Sequence, residues 1–457
     1  MPLALPVEVG ARRAWVPYAV IAAGVAAAYA NAFGASFQFD DWNVIVDESR
    51  VRTLAAFWDS MPGIRPLLKF SYAVNHVIAS GPAGFHAANV LIHLANACLV
   101  FMLFARATTR FVALVGALVF ALHPVQTEAV TYVSGRSTSL MAFFALASLL
   151  AWVVGRARWV SAALFAAALL VKETAAVLPL GLLLVGRGHS PFSCRAVDRG
   201  ALREKGEWPL PHLAVLGAAG IAAALSPTYR HLFATSVDVR SIGVNLLTQA
   251  HAVVYLMGQL VRLDHLNADP MLAVIDTWTP RIAADVAIIV GLIALGIASI
   301  RRRPTIAFGI LWFFVWLLPT NSILPRLDVA NDRQLYLALV GPAWLVAFAV
   351  GKLAAKRGPA LLLAAALVLA IGLGAATHQR NRVYADEIVF WEDVARKSPG
   401  NGRAFNNLGY AYAQASRSND AEAALRRALA LDPQNVRAAV NLRLLREGAL
   451  TRAARRP

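Results

Sequence analysis

Charge is scarce in this sequence. Only 15% of its 457 residues are Asp, Glu, Lys or Arg, against about 25% in soluble globular chains. Hydrophobic residues make up 58% instead, and they are blocked into runs of about span length, which excludes an ordinary soluble domain and reads as an all-α, polytopic membrane protein. Acid is scarcer than base, at 26 Asp and Glu against 43 Lys and Arg, for a net charge of +17. That excess does not call for a nucleic-acid partner, because Lys and Arg in short loops mark the cytoplasmic side of a membrane protein. Cysteine is almost absent. Cys98 and Cys194 are too few for a disulfide framework, and nothing has the spacing of a zinc site. No long Gly/Ser or Pro linker interrupts the apolar part.

The spans follow from the runs. The first, Trp15–Phe33, follows Arg12 and Arg13 and is longer than a signal-peptide apolar core, so it is expected to be an anchor; a signal peptide cleaved near Ala28–Ala30 is the alternative. Further spans are expected near 86–105, 109–122, 137–154, 158–171, 173–186, 211–226, 283–300, 304–319, 334–351 and 359–376, roughly eleven in all. Basic residues fix the orientation. Arg12 and Arg13, Arg106 and Arg110, Arg156 and Arg158, the 187–210 loop, Arg301–Arg303, and Lys352, Lys356 and Arg357 are expected in the cytoplasm. Alternation then puts outside the loops 34–85, 123–136, 227–282 and 320–333, the Lys172–Glu173 junction and everything from Thr377. Gly243–Val261 breaks the parity if it spans, so it is expected to lie on or dip into the outer face. The localisation implied is a multi-pass integral membrane protein with a cytoplasmic amino terminus.

With so few charges, those in the outward loops stand out. The first loop opens FQFDDWNVI, with Asp40 and Asp41 adjacent just past a membrane exit, and continues RPLLKFSYAVNH (Arg65–His76). Each carboxylate has a bland reading, as a helix cap or interface marker, and a functional one, as an acid or base on a membrane-borne substrate. The second loop, HPVQTEAVTYVSGRS, holds His123, Glu128 and Arg136 at a boundary where ionisable groups usually have a function. Lys172–Glu173 interrupts ALLVKETAAVLPL; it is either a local ion pair or a lysine reaching an anionic head group with the glutamate as its orienting partner. His86, Asn89 and His93 share one helix face, as a hydrogen-bonding seam or as substrate contacts. In the fifth loop, Arg326, Asp332 and Arg333 collect at the mouth of the next span with Tyr336 one turn on. Arg333 suits phosphate, because a guanidinium makes paired hydrogen bonds.

The carboxyl-terminal part changes character at Thr377, becoming polar and helical. Phe405-x2-Leu408-Gly409-x2-Tyr412, then Ala421, Leu425, Ala428 and Pro433, fits one tetratricopeptide repeat at 402–435, with partial repeats on either side in 380–450. Small Gly409 and Ala421 let two helices approach. An array of about two repeats is short of the three or more such folds need, so it is expected to lean on the membrane part, residues 1–376, or on a partner.

In order along the chain, FDDWNVI, RPLLKFSYAVNH, GFHAANVLIHLANA, LHPVQTEAVTYVSGRS, LLVKE, PTNSILP, NDRQLYLALVG and the repeat resemble the transmembrane and tetratricopeptide-repeat-containing O-mannosyltransferases and their bacterial relatives. The resemblance covers about residues 14–445. Animal members tend to carry an acidic residue soon after the arginine of the second outward loop, whereas Ser137 and Thr138 follow Arg136 here, which looks closer to the bacterial branch and to a bacterial inner membrane. The resemblance implies a GT-C-type glycosyltransferase that takes a sugar from a polyprenyl-phosphate carrier on the outer face and gives it to a protein hydroxyl. Mannose is the family's sugar. Asp40 is then the general base, and Asp41 its assistant on the acceptor. Lys172, Arg333 and Arg136 bind the donor phosphate, while His86, Asn89, His93, His123, Glu128, Glu173 and Tyr336 support the acceptor side. No cofactor is required, although adjacent carboxylates can hold a divalent ion. The repeats are expected to present the acceptor while the chemistry stays in the membrane part, so that a protein cut after Arg380 still transfers sugar to a simple acceptor. The rival readings are a non-catalytic scaffold for envelope proteins and a transporter; a transporter places its charges near the midplane.

Overall fold

The computed structural model describes residues 14–60, 63–155, 158–186, 191–192 and 208–450. Arg12, Arg13, Arg156, Cys194 and the basic residues of the 187–205 stretch lie outside the described residues. All regular structure among the described residues is helical. Five helices are individually long and apolar enough to cross a membrane: Val16–Gly34, Pro82–Phe104, Val133–Val154, Pro280–Ser299 and Pro359–Tyr384. Three bent pairs, Arg110–Leu122 with Pro124–Val130, Leu210–Leu225 with Pro227–Val239, and Asp332–Ala338 with Val340–Leu353, raise the number to eight if each is one span. The expected spans at 158–171, 173–186 and 304–319 appear as shorter apolar helices of 10–17 residues. The roughly eleven segments are therefore all helices, but five to eight have the length and composition to cross.

Proline and polar caps explain many of the helix starts. Pro82, Pro280, Pro304 and Pro359 open helices at their first turn, where a missing N–H costs nothing. Thr109 and Thr279 cap theirs by accepting from Val112 and Ile282 N–H. The long stretch near 243–261 is a helix, Ile242–Gln259, outside the set that passes as spans. Its buried face is polar: Asn245 donates to the carbonyls of Ser322 and Ile323, and Gln249 to that of Val329. It is bound sideways to the 320–330 segment, as a helix packed on loops is.

The loops that alternation sorts to one side meet in one layer of the molecule. Asp40 N–H donates to Tyr132, Ser134 N–H to Asp41, Arg333 N–H to Glu128, Arg65 to Glu173, and Asn267 to Ser398. The composition change at Thr377 is no break in the structure, since helix Pro359–Asn381 runs straight through it. After a turn at Arg382–Tyr384, helices Glu387–Lys397, Gly402–Gln414, Ser418–Leu431 and Val436–Arg446 follow. Gly402–Gln414 and Ser418–Leu431 pack closely at Gly409, where a Cβ would lie 2.7 Å from Leu425 Cγ.

These helices dock on the loop layer through an apolar cluster and a set of charges. Tyr132, Tyr384, Phe390, Trp391, Val394 and Leu408 are buried together, with Phe39 and Ala268 packed on them. Asp393 takes Arg380 at 2.8 Å and Lys397 at 2.8 Å, in a pair whose side chains are 5% and 4% exposed. Arg403 bridges Asp269 and Asp328, the latter at 2.9 Å. Removing one member of a buried pair strands the other charge and costs about 3–5 kcal/mol. Asp393→Ala is therefore expected to lower the thermal midpoint in detergent and to release the region after Tyr384 to protease; an unchanged midpoint would show that the docking rests on the apolar cluster alone.

Candidate active site

Asp40 and Asp41 are neighbours with opposite fates. Phe39 sits at φ +42°, a left-handed conformation that is an outlier for a bulky residue and costs of order 1–3 kcal/mol. Beyond it the chain enters the single π turn Trp42–Val46. Asp41 is fully buried, and both its oxygens are taken: Oδ1 by Ser134 N–H at 2.7 Å and Oδ2 by Gln38 N–H at 3.0 Å. It ties the first loop to the second and, fully buried, does not line the pocket that Asp40 lines. Asp40 is half-buried, its own N–H donates to Tyr132 Oη at 3.0 Å, and no hydrogen bond holds its carboxylate among the described residues.

Asp40 lines a pocket with Phe39, Glu128, Tyr132, Asn331 and Arg333, closed from the carboxyl-terminal side by Tyr384, Phe390, Trp391 and Arg403. Glu128 holds Arg333 twice, accepting the backbone N–H at 2.9 Å and facing Nε at 3.5 Å. The Glu128 turn closes on Gly135, where a Cβ would meet the Glu128 carbonyl at 2.3 Å, so no larger residue fits. With Nε turned to Glu128, the outer nitrogens of Arg333 have no partner among the described residues, and the guanidinium lies 6.0 Å from the Tyr132 ring.

Arg333 also belongs to a cationic cluster. Lys172 lies within electrostatic range of Arg333, Arg65 and Arg326. Burial, and then repulsion from Arg333, lower the Arg326 guanidinium below its ordinary value. Lys172 Nζ donates to Thr138 Oγ1 at 2.6 Å, whereas Glu173 pairs with Arg65 at 2.9 Å and accepts from Tyr229 at 3.0 Å. Glu173 therefore orients Arg65 rather than Lys172, a correction to the local pairing expected from sequence. A cluster with more cations than carboxylates, beside a partly free carboxylate, is suited to a phosphate leaving group and an incoming hydroxyl.

Arg136 is not part of it. Only 1% exposed, it donates to Asn89 Oδ1 at 2.6 Å, Asn75 Oδ1 at 2.7 Å, Phe85 O at 3.1 Å and Ser71 O at 3.2 Å, and sits against the Tyr72 and Phe85 rings. With four of its five N–H groups bonded inside the protein, it stands apart from the pocket that Asp40 and Arg333 line. His86, Asn89 and His93 form a buried seam. His86 Nε2 meets the Ala35 carbonyl at 3.1 Å, and Asn89 donates to the carbonyls of Val130 and Val133. Asn96, one turn beyond His93, donates to Tyr336 Oη at 2.9 Å. The Tyr336 hydroxyl then donates to His93 Nδ1 at 2.7 Å, which leaves His93 Nε2–H for the Ala121 carbonyl at 2.9 Å. His123 caps the turn at Pro124–Gln126 and reaches Leu260 O at 3.0 Å. These five residues, with Tyr336, hold the loops together and do not face the pocket. The two Asp41 oxygens each accept one backbone N–H, and no three His, Cys, Asp or Glu converge as a metal site among the described residues. Sequence reasoning missed Tyr132, Asn96, Arg65 as Glu173's partner, and the pocket wall from Phe390, Trp391 and Arg403.

Comparison with known proteins finds distant relatives over most of the chain. The chain is 26% identical over 420 residues to protein O-mannosyl-transferase TMTC4 of Homo sapiens, covering 75% of this chain and 56% of that protein. It is 25% identical over 463 residues to TMTC3 of Mus musculus, at 86% and 48%, and 24% identical over 519 residues to Tmtc3 of Drosophila melanogaster, at 91% and 55%. This chain is a distant homologue of the TMTC protein O-mannosyl-transferases. That homology suggests a glycosyltransferase. The chain spans about half the length of the curated relatives it matches. No family model matches it, and no solved structure matches it significantly.

Burial lifts the Asp41 carboxyl from an ordinary value of 3.8 to about 7, against the two backbone N–H groups that favour its charge. The folded protein thus keeps a proton that the unfolded chain has released. This contribution to stability is complete below pH 3.8 and is lost as pH rises through about 7. The thermal midpoint of the purified protein is expected to fall between pH 5 and pH 8, and the Asp41→Asn variant to show a shallower fall. Parallel pH profiles for the two proteins would remove Asp41 as the titrating group.

Proposed function

We propose that the protein is an inverting membrane glycosyltransferase. It takes a sugar, mannose in the first instance, from a polyprenyl-phosphate carrier and transfers it to a protein hydroxyl on the outer face of a bacterial inner membrane. The observation that carries the reading is the convergence of Asp40 and Arg333 on one pocket, next to a cluster of cations. Asp40 accepts the proton of the acceptor hydroxyl, whose oxygen attacks the anomeric carbon. The bond from that carbon to the phosphate oxygen breaks, and the electron pair leaves with the phosphate. Arg333, Lys172 and Arg326 stabilise the charge that develops there, so no acid is needed on the leaving group. Glu128 positions Arg333 by two contacts. The helices after Tyr384 are tetratricopeptide-type repeats that present the acceptor. Sidedness rests on the basic loops, with the amino terminus in the cytoplasm and the pocket outside.

Asp40→Asn, with normal membrane insertion, is expected to reduce sugar transfer by about a hundredfold or more, as loss of a general base does. Arg333→Ala is expected to weaken use of the lipid-phosphate donor by tens to hundreds of fold, the worth of a charge-assisted contact of about 1.5–3 kcal/mol. Radiolabelled sugar transfer from the lipid donor to a hydroxyl peptide reads both, and full activity in Asp40→Asn would point to a scaffold instead. A protein ending at Arg380 lacks Tyr384, Phe390, Trp391 and Arg403 from the pocket wall. It is expected to lose transfer even to a simple acceptor, contrary to the separable chemistry that the composition break implied. Retained transfer would restore the membrane part as the whole catalyst.

A further inference from the structure

The wall of the pocket contains polar atoms with nothing to bind. Asn331 and Tyr384 both line it, and both are at least nine-tenths buried, at 3% and 0% exposure. Neither Asn331 Nδ2 nor Tyr384 Oη has a hydrogen-bond partner. Immediately behind them, Asp332 Oδ1 and the Nε and Nη2 of Arg380 are also buried without partners, and the Arg380 guanidinium lies 5.5 Å from the Tyr384 ring. A buried polar group left unpaired costs free energy, so such atoms are rare in folded proteins and a convergent set of them needs an explanation. The same pocket is lined by aromatic rings: Phe39 meets Trp391 edge-on at 5.3 Å, and Phe390 packs on both Trp391 and Tyr384.

Orphaned donors and acceptors beside aromatic rings match a hexose, whose ring edge carries hydroxyls and whose C–H face is apolar. Resting on the transferase reading, we propose that Asn331 and Tyr384 bind the hydroxyls of the transferred hexose, with Trp391 against its apolar face. This places the sugar between Asp40 and Arg333, where its anomeric carbon must lie for attack from one side and departure of phosphate on the other. The subsite is assembled from two parts of the chain: Asn331 comes from the fifth outward loop, and Tyr384 and Trp391 from the start of the carboxyl-terminal helices. The inner pocket has about 20 Å³ of room, enough for one water, so a hexose enters only when the rim opens. Arg403, clamped between Asp269 and Asp328 on the rim, is the element whose release widens it.

Tyr384→Phe tests the subsite with little risk to the fold, since it removes a hydroxyl that has no partner in the protein. The measurement is the ratio of affinities, in detergent, for polyprenyl-phosphate-mannose and for the same polyprenyl phosphate without sugar. The wild-type protein is expected to prefer the sugar-bearing lipid. Tyr384→Phe is expected to lose about three- to tenfold of that preference, the worth of one hydrogen bond, with affinity for the sugar-free lipid unchanged. Asn331→Ala is expected to do the same, while Arg333→Ala weakens both lipids together. An unchanged ratio in both Tyr384→Phe and Asn331→Ala, in a protein that binds both lipids, overturns the subsite and leaves these atoms to water. Wild-type protein that binds neither lipid overturns the transferase reading, and the subsite with it.

Discussion

One carboxylate holds the reactive end of this molecule in place. Asp41 accepts a backbone N–H from its own loop and another from the second loop, and that bridge fixes the position of the residue before it. Asp40 therefore projects from a segment pinned on both sides, beside Tyr132 and opposite Arg333. The left-handed turn at Phe39 is the local strain that this geometry requires. Without the bridge, a flexible first loop would have no reason to present its acid to the second and fifth loops. Adjacent acids in the sequence are thus one buried anchor and one half-buried pocket residue.

The grouping of loops was legible in the sequence because it depends on parity. Alternating spans and clustered basic residues sort the segments 34–85, 123–136, 227–282 and 320–333 together, and all contribute to the same layer. Asp40 and Arg333, which stand out in a chain with little charge, line one pocket. What a one-dimensional reading does not contain is the choice of partner. Lys172 and Glu173 are neighbours, yet each bonds elsewhere, because the turn between their helices sends the two side chains toward Thr138 and Arg65. Arg136 looks like a phosphate ligand until four acceptors from two other helices are seen around it. The enclosure of a side chain is a property of packing, and no spacing rule reports it.

The same limit explains the misplaced boundary. Hydropathy changes sharply at Thr377, but helix Pro359–Asn381 carries its hydrogen bonding through the change. Composition records which residues face lipid and which face water. It does not record that Phe390 and Trp391 turn back onto Phe39 and Tyr132 to share one buried cluster. The carboxyl-terminal helices are polar on most of their surface because they stand in water, and apolar at one end because that end closes the pocket.

This closure has a consequence for synthesis. A chain emerging from the ribosome folds from its amino terminus onward. The acid, the arginine and the cationic cluster are all made before Tyr384, Trp391 and Arg403 exist. Until the segment that carries these residues is translated and docked, the earlier residues of the pocket lack that wall. The order of the elements along the chain thus closes the pocket only after the helices up to Pro359–Asn381 have been made.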